Sequence, residues 1–484
     1  MPGNTPDESP VSSPARSGDS YRVQTKRPAG SARRAGGSRK RPKASSDARA
    51  RVDTTRASSG PLWRRYLAAL GPGLVTGASD DDPSGIATYA QAGAQFGFGM
   101  LWASLVTLPL MATIQEICDR TALATGKGLG ELVTMRFSST WRAVVGLLTG
   151  ALIAANALNI AADLMAIGSG AHLLHAGPVW MWSLIAGTLI TVFLMTGSFA
   201  WIARVFKLLC AALLAYIAVL VVVHVNWGSV ARYTVEPHIR LSKPYLALLA
   251  GVLGTTISPY LFFWQTVHRL EEMRDENKQG DHAEALNERS VRRAARKQSM
   301  SRLDVITGMA FSNLVMFAII VATAVTLGRH GQHDVQSAAE AAKALRPVAG
   351  PAASVLFALG FIGAGALAVP VLAGSGSAGM AGILGRKSGF SRSLRQAPVF
   401  YALVAAGTIT GMALSLAGAN PVKLLVLVAI INGVAAAPFL VVVLAISGNR
   451  RIMGDYVNGR LATTVGWLTV VLMSAAAVGV IATL

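Results

Sequence analysis

The sequence predicts an all-α, polytopic membrane fold, and three observations carry that expectation: the composition, the length of the apolar runs, and two polar interruptions within them. Of 484 residues, 52% are apolar and 14% are charged, a balance that a water-facing chain of this size rarely shows. A helix needs about 20 apolar residues to cross about 30 Å of hydrocarbon. Eleven runs of that order lie between Tyr66 and Leu484, at 66–96, 98–123, 142–170, 178–199, 203–225, 243–268, 303–328, 348–384, 397–418, 421–447 and 461–483. The first is interrupted by Ser79-Asp80-Asp81-Asp82-Pro83-Ser84-Gly85 and the sixth by Gly254-Thr255-Thr256-Ile257-Ser258-Pro259-Tyr260.

Residues 1–60 precede these spans and are rich in Ser, Pro, Gly, Arg and Lys. They cannot bury enough apolar surface to fold, so a disordered basic tail is expected there, with the membrane domain over 61–484. Residues 1–65 hold 15 Lys or Arg against 5 Asp or Glu, half of the chain's net +20. Such a tail is solvated or touches anionic lipid; nucleic acid is not an expected partner, because a tethered tail meets phospholipid head groups first. Basic loops follow spans two (Lys127, Arg136), six (Arg269 to Arg302), eight (Arg386, Lys387, Arg392, Arg395) and ten (Arg450, Arg451, Arg460), all on the side of the tail. The positive-inside bias makes that side cytoplasmic in an inner (plasma) membrane and places the C-terminus outside. The first span is expected to direct insertion, since no short apolar core with a cleavage site precedes it.

In span one, Gly71-Pro72-Gly73 opens a helix that the acidic run breaks after about two turns. Pro83 cannot donate an amide hydrogen bond, Gly85 relaxes the backbone, and Ser79 and Ser84 satisfy freed groups. An acid at a helix centre in lipid costs about 2.5 to 3.5 kcal/mol, so Asp80, Asp81 and Asp82 call for a cavity or a cation. The break in span six carries no acid but offers hydroxyl and carbonyl oxygens from Thr255, Thr256, Ser258 and Tyr260. It reads either as a second half of the same site or as a proline-kinked helix whose hydroxyls bond back to their own carbonyls. Two broken helices at matching places in two halves point to a transporter with its site at mid-membrane, and oxygen donors suit hard ions such as magnesium, manganese or calcium.

Other polar groups lie within apolar runs. Asn156, Asn159 and Asp163 share one face of span three, where Asp163 is either part of an ion pathway or a structural anchor, and Asn432 lies in span ten. Glu116 and Arg120 are spaced for an i, i+4 pair at the end of span two. The connection Arg269 to Arg302 ends in Arg289, Arg292, Arg293, Arg296 and Lys297, spaced for a basic helix on the inner leaflet or for a solvated loop. Cys118 and Cys210 fall in or near spans two and five, so a disulfide is not expected. No phosphate-cradling Gly-Lys-Ser/Thr loop, His-Glu-x-x-His, paired Cys motif or Gly-x-Ser-x-Gly turn is present, so the chain does not read as an enzyme, and no cofactor is expected.

From about Trp63 onward the chain resembles the Nramp (natural resistance-associated macrophage protein) family of divalent metal transporters. The matching residues are Gly71-Pro72-Gly73, Asp82-Pro83 with Ala87-Thr88, Gln91-Ala92-Gly93-Ala94, Gln115, Gly126-Lys127 with Leu129, Asp163, Gly254-Thr255 with Pro259, and Leu303-Asp304. The resemblance implies an inverted-repeat fold, with repeats at about 61–228 and 241–449, an extra span at about 461–483, and the metal between the two breaks. Four positions depart from the family pattern. Gly85 replaces an Asn ligand, Ser258 a metal-binding Met, Tyr260 the His after Pro, and Ala166 an acid three residues beyond Asp163. This pattern looks like the Nramp-related magnesium transporters, which move magnesium and manganese without evident proton coupling; the alternatives are a proton-coupled manganese or iron transporter of the main family and a membrane cation sensor. The expected site is then Asp82 as principal carboxylate, with Ser79, Thr255, Ser258, Asp81 and Gly85 around it and Asp80, Asp163, Tyr260 and Asn432 along the pathway.

Overall fold

The computed structural model describes residues 71–196, 225–276, 282–328, 338–343 and 353–482, with positions 217, 218, 220 and 335. The tail at 1–60, nearly all of span five and Cys210 lie outside the described residues. Among the described residues every regular element is helical. The first half contains α1 (Pro72–Asp80), α2 (Pro83–Phe96), α3 (Trp102–Thr125), α4 (Leu129–Arg136), α5 (Ser139–Leu173), α6 (Val179–Thr196) and α7 (Trp227–Val235). The second contains α8 (Lys243–Thr256), α9 (Pro259–Glu276), α10 (Val291–Thr326), α11 (Ala338–Lys343), α12 (Ala353–Ile383), α13 (Pro398–Ser415), α14 (Pro421–Ser447), α15 (Arg450–Met453) and α16 (Arg460–Ile481).

Local chemistry sets these boundaries. Pro72, Pro83, Pro398 and Pro421 occupy first helical turns, where the missing N–H has no intrahelical partner to lose. Asp82 and Asn420 cap α2 and α14 by accepting from Gly85 N and Lys423 N. Gly126, left-handed at φ +64, ends α3.

Among the described residues, eight helical spans are long and apolar enough to cross a membrane, or nine if Pro83–Met100 and Trp102–Thr125 count as one span bent by 108°. These eight correspond to expected spans three, four and six to eleven, while expected spans one and two are α1 with α2, and α3. Both anticipated interruptions are present, after Asp80 and after Thr256. One expectation needs correction. The connection 269–302 is much shorter than anticipated, because α9 runs on to Glu276 and α10 already begins at Val291. Arg292, Arg293, Arg296 and Lys297 therefore form the opening turns of span seven, and Lys297 pairs with Glu272 at 2.9 Å and Glu276 at 2.5 Å.

The broken spans sit at the centre. The most apolar stretch of α8–α9 is 89% buried, against 17% for α6 and 33% for α16. The outer helices show Leu147, Leu189, Val471 and Val478 on their surfaces, the arrangement of a multi-pass membrane protein whose solvent is lipid. Packing around the centre relies on glycine. An added Cβ at Gly77 would lie 2.1 Å from Gly308 O, and one at Gly254 would lie 2.2 Å from Ala429 O. These contacts bring α1 onto α10 and α8 onto α14 at backbone distance.

Candidate functional site

The two breaks face each other. Asp82 is 1% exposed and caps α2, its Oδ1 accepting from Ser84 Oγ at 2.5 Å and Gly85 N at 2.8 Å. Its Oδ2 accepts from the Tyr260 hydroxyl, in the first turn of α9, at 3.1 Å. The positive end of α2 and a phenol thus both turn toward one buried carboxylate. Across the gap, a Cβ at Gly85 would lie 3.1 Å from Thr255 Oγ1 and 3.2 Å from Asp80 O. Even a single added carbon here would be tight against both breaks, so the missing side chain of Gly85 is what lets them approach so closely.

The remaining candidates divide into groups. Ser79 Oγ donates to Val75 O at 2.6 Å, and Ser258 Oγ to Gly254 O at 2.6 Å and Thr255 O at 3.0 Å. Both hydroxyls satisfy their own helices and keep lone pairs for other contacts. Thr256 bonds back similarly, to Val252 O at 2.6 Å, whereas Thr255 Oγ1 does not. Back-bonding to the helix's own carbonyls, as in a proline-kinked helix, thus accounts for Thr256 and Ser258 but not for Thr255. Asp80 and Asp81 share a different donor from those of Asp82: Asp80 Oδ2 and Asp81 Oδ1 accept from Ser312 Oγ on α10, at 2.7 and 3.3 Å. Among the described residues, no three His, Cys, Asp or Glu side chains are grouped so as to hold a metal ion. The chemistry open to the gap between the breaks is that of one carboxylate with hydroxyl and carbonyl oxygens, a hard donor set without sulfur.

Asp163 is fully buried on α5, and among the described residues neither of its carboxylate oxygens has a hydrogen-bond partner. Its neighbour on the same face, Asn156, donates to Leu372 O on α12 at 2.9 Å. Asn432 is buried on α14, next to the Gly433 backbone that touches Gly254, and neither of its amide atoms has a partner among the described residues.

A second polar centre was read only in fragments from the sequence. Buried Arg269, on α9, reaches Asp119 on α3 at 2.6 Å, Asp304 on α10 at 3.1 Å, and Glu272. Asp119 also accepts from Gln265 at 2.7 Å and from Ser301. Asp304 caps the start of α1, accepting from Gly71 N and Gly73 N at 2.8 Å each and from Leu74 N at 3.2 Å. The Glu116–Arg120 pair forms at 3.1 Å, and Arg120 also bonds Tyr456 O at 2.5 Å. In sequence, Asp119 is one more charged residue beside that pair at the end of span two. Only the partners brought by α9 and α10 distinguish it.

Known proteins share this architecture. A single-residue variant of the manganese transporter from Eremococcus coleocola superposes with a TM-score of 0.65 at 18% identity, covering 87% of each chain. A nucleobase-cation-symport-1 family transporter in a closed conformation gives 0.54 at 14% identity, over 86% of this chain and 90% of that one. In sequence, the divalent metal cation transporter MntH of Ralstonia nicotianae is 27% identical over 432 residues, covering 86% of this chain and 91% of the relative. The MntH of Deinococcus radiodurans is 27% identical over 448 residues, covering 89% and 93%. The family model described as natural resistance-associated macrophage protein-like matches residues 73–483, from the start of the capped, broken first span through the last helix, and the chain therefore belongs to the Nramp family.

Proposed function

We propose that this protein transports hard divalent cations, magnesium and also manganese, by alternating access and without a coupled proton. The observation that carries this reading is the pairing of the two breaks. Asp82 of the first is bonded to Tyr260 of the second, and Gly85 faces Thr255. Asp82 is the principal carboxylate, with Ser79, Thr255 and Ser258 supplying oxygens directly or through water, and Asp80 and Asp81 adding negative charge alongside. Ser258 offers oxygen where the family resemblance implies a thioether, and Gly85 leaves room for an ion that keeps some of its water. Magnesium dehydrates reluctantly and usually retains several waters.

In the proposed orientation the basic loops face the cytoplasm, the C-terminus lies outside, and the repeats run from about 61 to 228 and 241 to 449. An inside-negative potential favours entry of two charges by about 4.6 kcal/mol per 100 mV if they cross the whole field, a drive that needs no proton. Uptake into proteoliposomes with an internal magnesium reporter tests the site: Asp82→Ala is expected to abolish it, and undiminished uptake would remove Asp82 from the pathway. A pH-sensitive dye inside the same vesicles tests coupling, and metal-driven acidification would contradict the uncoupled mechanism.

A second reading is proton-coupled manganese or iron transport. It draws support from relatives named divalent metal cation transporter MntH or manganese transporter, and from Asp163, a buried carboxylate with no hydrogen-bond partner among the described residues. Competition separates the two. Excess magnesium suppressing manganese uptake supports the first, while manganese uptake indifferent to magnesium supports the second.

A further inference from the structure

A cavity of about 260 Å³ lies beside α9, walled by that helix, the start of α4, the end of α12 and the segment that follows α12. Its wall gathers Arg274, Arg386, Lys387 and Arg392, with Glu131 as the acid among the lining residues. Lys127 stands 3.4 Å from Glu131, and Glu271 stands 3.5 Å from Arg274. The first-turn residues of α4, Leu129 to Glu131, complete one side. The cap of that helix is Gly128, so no side chain caps its opening amides, and the positive end of its dipole lies at this side of the cavity.

The segment carrying these cations is fixed in place. Glu271, 1% exposed, accepts from Ser391 N at 2.7 Å. Gly389 adopts φ +118, and a Cβ there would lie 1.9 Å from Glu271 Oε1. Phe390 is buried, packed edge-on to Phe400 at 5.1 Å, and the Tyr401 hydroxyl donates to Arg392 O at 2.8 Å. A segment anchored at the four successive residues 389–392 keeps the backbone that carries Arg386, Lys387 and Arg392 at the edge of the cavity.

We infer that this cavity binds a phosphate-bearing anion, either a lipid phosphate at the membrane surface or a soluble phosphate compound. Guanidinium groups pair with phosphate oxygens in bidentate fashion, a helix start favours anions, and basic pockets between membrane helices suit acidic head groups. An occupant would join α9, the continuation of the sixth broken span, to α4 and α12. Any effect of this link on flux rests on the transport reading, whereas binding does not.

The test uses the full chain in phosphatidylcholine nanodiscs and chelator-treated, metal-free buffer. One arm adds inorganic pyrophosphate, with chloride at matched ionic strength as control. The other replaces part of the lipid with phosphatidylglycerol and adds no phosphate compound. Melting temperature is read in both, because a ligand bound only by the folded state raises it, by several degrees when present at about 100-fold its dissociation constant. The unaltered chain and Arg450→Ala/Arg451→Ala, a control from another basic loop, are expected to respond in at least one arm, which identifies the source. Arg386→Ala/Lys387→Ala is expected to lose that response, and Arg386→Gln/Lys387→Gln repeats the test with side-chain bulk retained. No response in either arm, or an undiminished response in the double variants, overturns the proposal. Melting does not depend on metal flux, so failure here leaves the transport reading standing, and the reverse holds equally.

Discussion

Asp82 has both carboxylate oxygens engaged by protein donors, so a cation approaching it competes with the Tyr260 hydroxyl for Oδ2. A hydrogen bond to a charged group is worth about 1.5 to 3 kcal/mol. Tyr260→Phe is therefore expected to lower the apparent KM for magnesium uptake by about tenfold or more; a higher KM would make the hydroxyl a ligand instead. Gly85→Asn tests the need for a glycine between the breaks. The new side chain would begin 3.1 Å from Thr255 Oγ1, and magnesium uptake should fall more than manganese uptake in a paired assay. Asp82, Gly85 and Thr255 were legible because residues that break helices inside apolar runs announce themselves. Ser312 was not: a serine within an apolar helix looks like any other until packing sets it against Asp80 and Asp81.

At the scale of elements, α1 is held at its start by Asp304, which bonds three of its opening amides while pairing with Arg269. Removing one partner of a buried ion pair costs about 3 to 5 kcal/mol, and the amides of α1 would lose their cap as well. Asp304→Ala should lower the melting temperature well below that of the control Arg460→Ala, read by thermal unfolding in detergent. Equal melting would place the anchor of α1 elsewhere. Gly254→Ala should be similarly damaging, since its Cβ would meet backbone atoms of α14 at 2.2 Å and no side-chain rotation relieves such a clash. The breaks that create these elements follow from Pro83 and Pro259. The anchoring of α1 does not, because Asp304 is 233 residues from Gly71.

For the whole molecule, the membrane domain carries the site, the close-packed glycines and the buried polar centre, while residues 1–60 hold a composition without a core. Deleting 1–60 is expected to leave the initial rate of metal uptake per reconstituted molecule unchanged, and loss of flux at equal protein incorporation would give the tail a direct part in transport. The sequence by itself determined that the chain spans a membrane and where its first and sixth spans break, since apolar run length and proline act over a few residues. Only the tertiary structure decided that Asp80 and Asp81 turn to α10 while Asp82 turns to α9, that Arg269 joins three helices, and that a basic cavity lies beside α9. Those outcomes depend on which helices pack together, and a buried charge takes its partner from whatever donor that packing brings within reach.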